Sequence, residues 1–369
     1  MKKILITGGA GFIGQHLTRK LVDKGYRVVI LDNLSKQIHG DNPEIPDFNG
    51  VDFFKGDVRD KDLLLEILPE IDAIYHLASE TGTAQSMYEI ERYVDVNVNG
   101  TSILIEAVAE TNLKGIDFIL SSSRSIYGEG AYLSKNNKLF YPKSREYDQL
   151  SRGKWQLVSE NGEELRPTAT TEDSIPSPSS IYAATKYSQE MIVSIASTSL
   201  GMRSSILRFQ NVFGEGQSLR NPYTGIISIF FNRIRQGLPI NIYEDGEESR
   251  DFIYIDDIVD SLISSLERES MNNITVNVGS GKQTSVSQLA SMIIEISGIS
   301  AEKKITGDFR VGDIRHCFAD LTKAKKELSF EPKYSLRKGL IRFCLWAEKQ
   351  PIYEDKSEIA LSELKDKGL

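Results

Sequence analysis

Tyr182 and Lys186 stand four residues apart in the run Tyr182-Ala183-Ala184-Thr185-Lys186. Residues at that spacing on a helix share a face. An ammonium beside a phenol stabilises the phenolate and lowers its pKa, so the tyrosine can act as a base near neutral pH. The same spacing recurs at Tyr334 and Lys338, where it reads as a solvated helix face. What distinguishes the first pair lies upstream. Ser121-Ser122-Ser123 ends an apolar run, and a hydroxyl at Ser123 can bond a substrate hydroxyl and help its proton move. A third feature is Gly8-x-x-Gly11-x-x-Gly14, behind the apolar Ile4-Leu5-Ile6. Glycines between a strand-like and a helix-like run bring backbone close to a pyrophosphate at a helix N-terminus. Asp32 ends the second apolar run. An acid there binds both hydroxyls of an adenosine ribose and repels a 2′-phosphate, so NAD is expected rather than NADP. Asp57 and Val58, at the end of the third run, are placed to flank the adenine.

These residues need elements to hold them. Apolar runs at 4–6, 28–31, 51–54, 72–78 and 116–120 alternate with helical patterns at 14–24, 60–68 and 86–111. Strands alternating with helices predict a parallel sheet covered on both faces, with ligands at the carboxyl ends of its strands. Further helices are expected at 181–200, 226–236, 256–268, 285–296, 321–328 and 336–348, and strands at 205–209 and 276–278. Residues 127–180 are polar, rich in Ser, Lys, Glu and Pro, and lack a clear period. They read as a long surface insertion with at most a small hairpin of its own, serving as a mobile loop or as a lid or interface arm.

The chain has 369 residues, enough for one large α/β unit with a smaller lobe, or for two domains. It is 40% hydrophobic and 26% charged, as soluble globular proteins are. A net charge of −8 supplies no global basic field for nucleic acid. No apolar run reaches membrane-spanning length, and Thr7-Gly8-Gly9 interrupts the N-terminal run, so a buried first strand is expected rather than a signal peptide. Two cysteines, Cys317 and Cys344, argue against a disulfide framework and for a reducing, cytoplasmic compartment. The four histidines form no ligand cluster with them, so no metal site is expected.

The motifs occur in a telling order: the glycine turn, Asp32, Gly56-Asp57-Val58, His76-Leu77-Ala78, Asn97-Val98-Asn99-Gly100-Thr101, Ser123, Tyr182-x-x-x-Lys186 and Arg208-Phe209-Gln210-Asn211. Together they resemble the extended short-chain dehydrogenase/reductase family, in its nucleotide-sugar epimerase/dehydratase branch, over about residues 1–350. The resemblance implies a Rossmann-type doubly wound α/β sheet with a smaller C-terminal α/β lobe for the nucleotide-diphosphate sugar. On that basis 1–180 is the NAD-binding domain, with 129–180 inserted. Residues 181–212 return to it with the catalytic helix, 213–350 form mainly the sugar-nucleotide lobe, and 351–369 are a charged tail. A homodimer is implied, built on helices 86–111 and 181–200. Ser123, Tyr182 and Lys186 are the implied catalytic residues. For NAD the resemblance implies Gly8, Gly11, Phe12, Ile13, Gly14, Asp32, Asn33, Asp57, Val58, Leu77, Ala78, Ser79, Asn97, Ser121, Tyr182 and Lys186. For the sugar nucleotide it implies Glu80, Thr81, Thr83, Ser123, Arg124, Tyr182, Asn211, Arg250, Arg310 and Arg315. The three arginines from 250 onward fall in segments that bind the diphosphate in the family, a role suited to a planar fork of donors.

Within the branch, dehydratases place Asp-Glu directly after the active Ser or Thr, whereas this chain has Arg124-Ser125. The Glu-x-Arg arrangement of UDP-glucuronate decarboxylases is also missing at this point. An epimerase is expected, inverting C4 through a 4-keto sugar. Segments 79–86 and 123–130 and the long insertion resemble bacterial dTDP-L-rhamnose 4-epimerases. UDP-galactose 4-epimerases often carry lysine where Thr81 stands. A UDP- or CDP-sugar epimerase and an NADPH-dependent nucleotide-sugar reductase are the alternatives.

Overall fold

The computed structural model describes residues 2–355, apart from 42, 44, 47, 222 and 224. Its first half alternates strand and helix: β1 (Lys3–Thr7), α1 (Phe12–Asp23), β2 (Arg27–Asp32), β3 (Val51–Lys55), α2 (Lys61–Ile67), β4 (Ala73–His76), α3 (Gly100–Glu110) and β5 (Asp117–Ser123). After the insertion come α4 (Ile181–Leu200), β6 (Arg203–Phe209), α5 (Ile255–Glu267) and β7 (Ile274–Val278). The seven strands form one sheet in the order β7-β6-β5-β4-β1-β2-β3, and every pairing is parallel. The chain thus winds outward from β1 in both directions, which is the expected doubly wound α/β sheet.

Successive strand residues point to opposite faces, and the two cores follow that alternation. Ile4 and Ile6 of β1 join Val28, Ile30, Tyr75 and Leu207 under α1 and α5. Leu5 joins Val29, Leu31, Ile74, Phe118 and Ile206 against residues of α2, α3 and α4. Both faces of each inner strand are apolar because both are covered, as a parallel sheet requires.

Two expectations need correction. The helix expected over 86–111 is broken into short helices at Thr83–Ser86 and Ile90–Tyr93, a π-helical turn at Val94–Asn99, and α3. Such turns insert an extra residue per turn and commonly mark functional sites; this one carries Asn97. The insertion also holds more structure than a hairpin. Tyr132–Leu133, Leu139–Phe140 and Arg166–Pro167 form a three-stranded antiparallel sheet over its own small core of Tyr132, Leu157 and Leu165. It is bolted down by charge. Arg145, whose side chain has no exposure, pairs with Glu129 at 3.3 Å and with Glu244 at 2.8 Å. Arg315 pairs with the same Glu244 at 3.0 Å. The buried Arg145–Glu244 pair thus ties the insertion to the C-terminal half, and Arg315 N adds a hydrogen bond to Glu129 at 2.6 Å.

In that half, Ser249–Arg250 pairs parallel with His316–Cys317 and antiparallel with Thr284–Ser285. Helix Val286–Ser297 follows that sheet and packs against helices Ile226–Arg235 and Leu336–Ala347. The part of the expected tail from residue 356 onward lies outside the described residues.

Candidate active site

The glycine turn follows β1 directly. Gly8 has φ +73°, and a Cβ there would lie 2.7 Å from the Ala78 backbone nitrogen. A Cβ on Gly14 would lie 2.5 Å from Gly8 O. No side chain caps α1 at Gly11, and its first turn holds no acid. Its leading N–H groups and positive dipole end are therefore available to an anion. Asp32 Oδ2 accepts from Ala10 N at 3.0 Å and its Oδ1 from Leu34 N at 2.8 Å, so the acid stands beside the turn. Gly8, Gly11, Asp32, Asn33, Asp57, Val58, Leu77, Ala78, Ser79, Glu80 and Thr81 all line one cleft of about 740 Å³, counting the part open to solvent. This is a cradle shaped for a dinucleotide, and the residues present fit NAD. Phe12, Ile13 and Gly14 form the first turn of α1 beside it.

Asp57 is steered by its neighbours. Arg59 donates to it at 2.7 and 2.8 Å and Asn33 at 2.9 Å. The Arg59 bonds, opposed by partial burial, hold its carboxyl at about 2. Ser121 Oγ donates to His76 O at 3.1 Å. Asn97 works behind the cleft: its Oδ1 accepts from Glu80 N at 2.8 Å and Ser79 Oγ at 3.0 Å, and its Nδ2 donates to Thr185 Oγ1 at 3.0 Å. It thereby locks the cleft wall to α4.

Tyr182 sits in the first turn of α4. Ser180 caps that helix by accepting from Ala183 N, and Ser86 Oγ accepts from Tyr182 N at 3.0 Å. Two of the N–H groups orphaned at a helix start are satisfied this way, and the turn bearing Tyr182 is held. Ser123 ends β5, and its hydroxyl reaches the Tyr182 phenol. Burial raises the phenol pKa, while Ser123 and the Arg124 guanidinium lower it. The sequence predicted Lys186 in that last role. Instead Lys186 Nζ turns toward Ser79 Oγ at 3.4 Å, on the cofactor side. Burial pushes its ammonium down to about 7, opposed by Glu190 one turn further on. Glu190 is itself held by Arg208 at 2.7 Å and by Ser122.

Behind Tyr182 and Lys186 runs a network that the sequence did not reveal. His76 is 1% exposed. Its Nδ1 meets Thr7 Oγ1 at 2.8 Å and its Nε2 meets Thr101 Oγ1 at 2.9 Å. Burial first, and Lys186 second, hold His76 down at about 3, so the ring is neutral. Glu190 could have been noticed, since it continues the four-residue spacing after Lys186. His76 stands in the motif His76-Leu77-Ala78, but nothing in its spacing announces Thr7, Thr101 or Lys186 as its neighbours.

The sugar-nucleotide residues divide. Arg124, Arg250 and Arg310 have no carboxylate partner among the described residues; Arg250 donates to Ser249 O at 2.9 Å and Arg310 to Tyr243 OH at 3.2 Å. Arg124 and Arg250 repel each other, and burial with that repulsion lowers the Arg124 pKa. Asn211 Oδ1, both amide atoms of Gln210 and Arg310 Nε are buried without partners. Buried polar groups are ordinarily bonded, so these atoms are available to a polar ligand, and the neighbouring charges of Arg124 and Arg250 favour an anionic one. Arg315 is placed differently: it is 0% exposed and forks onto Asp245 at 2.7 and 2.8 Å, while its Nε is left without a partner. The Glu80 carboxylate is likewise held by Arg92 at 2.7 Å. Thr83 opens the short helix that supplies Ser86.

A doubly wound sheet, a dinucleotide cradle, a Ser–Tyr–Lys set and unpaired arginines beyond it define an NAD-dependent enzyme of the short-chain dehydrogenase/reductase type. The chain belongs to the NAD dependent epimerase/dehydratase family, whose profile matches residues 4–149 and 157–279. NAD is its cofactor. It is 38% identical over 350 residues to a dTDP-L-rhamnose 4-epimerase of Burkholderia thailandensis, covering 94% of each chain. A putative UDP-glucose 4-epimerase of Methanocaldococcus jannaschii is 31% identical, over 93% of this chain and 97% of that one. The structure of a Bacillus cereus UDP-glucuronic acid 4-epimerase with UDP-glucuronic acid and NAD is similar with TM-score 0.76 and 28% identity, covering 94% of this chain and 99% of that one.

Proposed function

We propose that the protein inverts C4 of a nucleotide-diphosphate sugar through a 4-keto intermediate, with dTDP-L-rhamnose and dTDP-6-deoxy-L-talose as the pair interconverted. The observation that carries the reaction type is the Tyr182 phenol, beside Ser123 and the Arg124 guanidinium and one helical turn before Lys186, whose ammonium turns to Ser79 of the NAD cleft. The 38% identity to the Burkholderia enzyme supports the sugar. The similarity to UDP-sugar epimerases favours a UDP-sugar as the second reading.

Bound NAD supplies a reversible two-electron oxidant beside the sugar. Tyr182 takes the proton of the C4 hydroxyl while Ser123 holds that oxygen. Arg250, Arg310 and Asn211 hold the diphosphate and its surroundings. The flat 4-keto sugar is left free to turn over, and Tyr182 then returns the proton with C4 inverted. Lys186, directed to the Ser79 side, holds the cofactor end of the site. Exposed apolar side chains on the two helical segments, Ile90 and Val94 with Met191 and Ile195, support a homodimer joined there.

The test is to incubate the protein with a panel of dTDP-, UDP-, CDP- and GDP-sugars and follow the stereoisomers by NMR. dTDP-L-rhamnose should yield its C4 epimer with no net change in NAD. Turnover of other sugars alone rejects the assignment, and stoichiometric NADPH oxidation marks a reductase instead. Tyr182→Phe should abolish epimerisation while NAD remains bound; an active variant removes Tyr182 as the base.

A further inference from the structure

In the sheet β1 lies between β4 and β2, so the glycine turn after β1 is flanked by the loops that follow those two strands. The loop after β2 places Ser35, Gln37 and His39 in the cleft wall, and the segment after β4 supplies the wall opposite. These two loops are joined. Gln37 Nε2 donates to Gln85 Oε1 at 2.9 Å, and Gln85 Nε2 donates back to Gln37 Oε1 at 3.1 Å. The two ends of this bridge differ in firmness. Gln85 is 3% exposed and anchored, accepting from Tyr93 OH at 3.2 Å and donating to Glu89 at 3.1 Å. Gln37 sits on the four-residue helix Lys36–His39, which has no side-chain cap.

We infer that the Gln37–Gln85 amide pair is a clasp that closes over the pyrophosphate of bound NAD and sets how slowly the cofactor leaves. The pyrophosphate of a dinucleotide lies at the helix start beyond the first strand. Gln37 lines the same cleft as Gly8 and Gly11, and a link from it to the segment after β4 spans the cleft from the adenosine side. With adenosine held at Asp32 on one side and the nicotinamide end near Lys186 on the other, NAD escapes only when the clasp parts. Two amide hydrogen bonds are individually weak, so the clasp opens unaided, but NAD leaves only after both have broken. An enzyme that returns its cofactor to the starting state each cycle benefits from slow loss. The inference rests on NAD as cofactor and not on which sugar is turned over.

Gln37→Ala removes both bonds at a partly exposed loop position and leaves the buried Gln85 in place. The full-length protein loaded with NAD is mixed with excess fluorescent etheno-NAD, and release and association are measured separately, without any sugar. NAD release should quicken about tenfold, the loss of two ordinary hydrogen bonds, with association unchanged or faster. The double variant Gln37→Ala/Gln85→Ala should release NAD no faster than the single one, because one clasp can be lost only once. Unchanged release from Gln37→Ala, or a change confined to slower association, overturns the clasp. A sugar panel in which nothing turns over would instead overturn the proposed reaction and leave this measurement standing.

Discussion

Burial holds the Tyr182 phenol above its ordinary value, and Ser123 and Arg124 pull it back. The other charged or titratable groups around it are Tyr93, across from the phenol, and Lys186 on its own helix. A base works only when deprotonated, so removing the nearby cation should move the onset of activity to higher pH. Arg124→Met is expected to move the acidic limb of kcat/KM to higher pH, and Arg124→Lys to restore most of it. An unmoved limb in Arg124→Met would show that the guanidinium does not act on the phenol. Tyr182, Lys186 and Ser123 were legible in the sequence because helical spacing and a strand end place them without further information. Which cation faces which oxygen was not legible. A lysine stem is long enough to turn either way, and only the position of Ser79 at 3.4 Å shows where it goes.

Among the elements, the turn from β1 into α1 tolerates least. A Cβ at Gly14 would meet Gly8 O at 2.5 Å and Gly9 Cα at 2.6 Å, both backbone atoms that cannot swing aside. Gly14→Ala should cost about 1–3 kcal/mol of stability by overpacking and weaken NAD binding, as read by denaturant melts and NAD titration. Wild-type values for both would mean that the turn is looser than its geometry. The sequence placed this turn correctly, because glycine spacing after an apolar run has few other uses. It misread 86–111 as one helix. The apolar periodicity there runs on unbroken, while the π-helical turn at Val94–Asn99 is set by what Asn97 must reach: Ser79, Glu80 and Thr185. Those partners are 17 to 88 residues away in the chain, and no local pattern announces them.

Across the whole molecule, the insertion and the C-terminal half are joined by Arg145. Removing one partner of a buried ion pair leaves the other charge stranded. Arg145→Met should therefore lower stability by about 3–5 kcal/mol in denaturant melts, with Glu129 and Glu244 left exposed to each other's field. A change below about 1 kcal/mol would show that the insertion is held by its apolar core alone. The proposed dimer is tested by Ile195→Asp, which places a charge on the most exposed apolar side chain of α4. Light scattering should find the mass halved relative to the wild type. An unaltered mass, whether monomer or dimer, rejects that face as the interface. The alternation of strands and helices, the glycine turn, and the positions of Ser123 at a strand end and of Tyr182 and Lys186 on one helix were legible in the sequence, because each follows from short-range periodicity and spacing; the order of the strands came only with the structure. Tertiary structure decided which arginines stay free. Among the described residues Arg250 and Arg310 lack carboxylate partners, while Arg315 pairs with Asp245 and Glu244. Charge pairing depends on distances of a few ångströms between distant parts of the chain, and these exist only once the fold has closed.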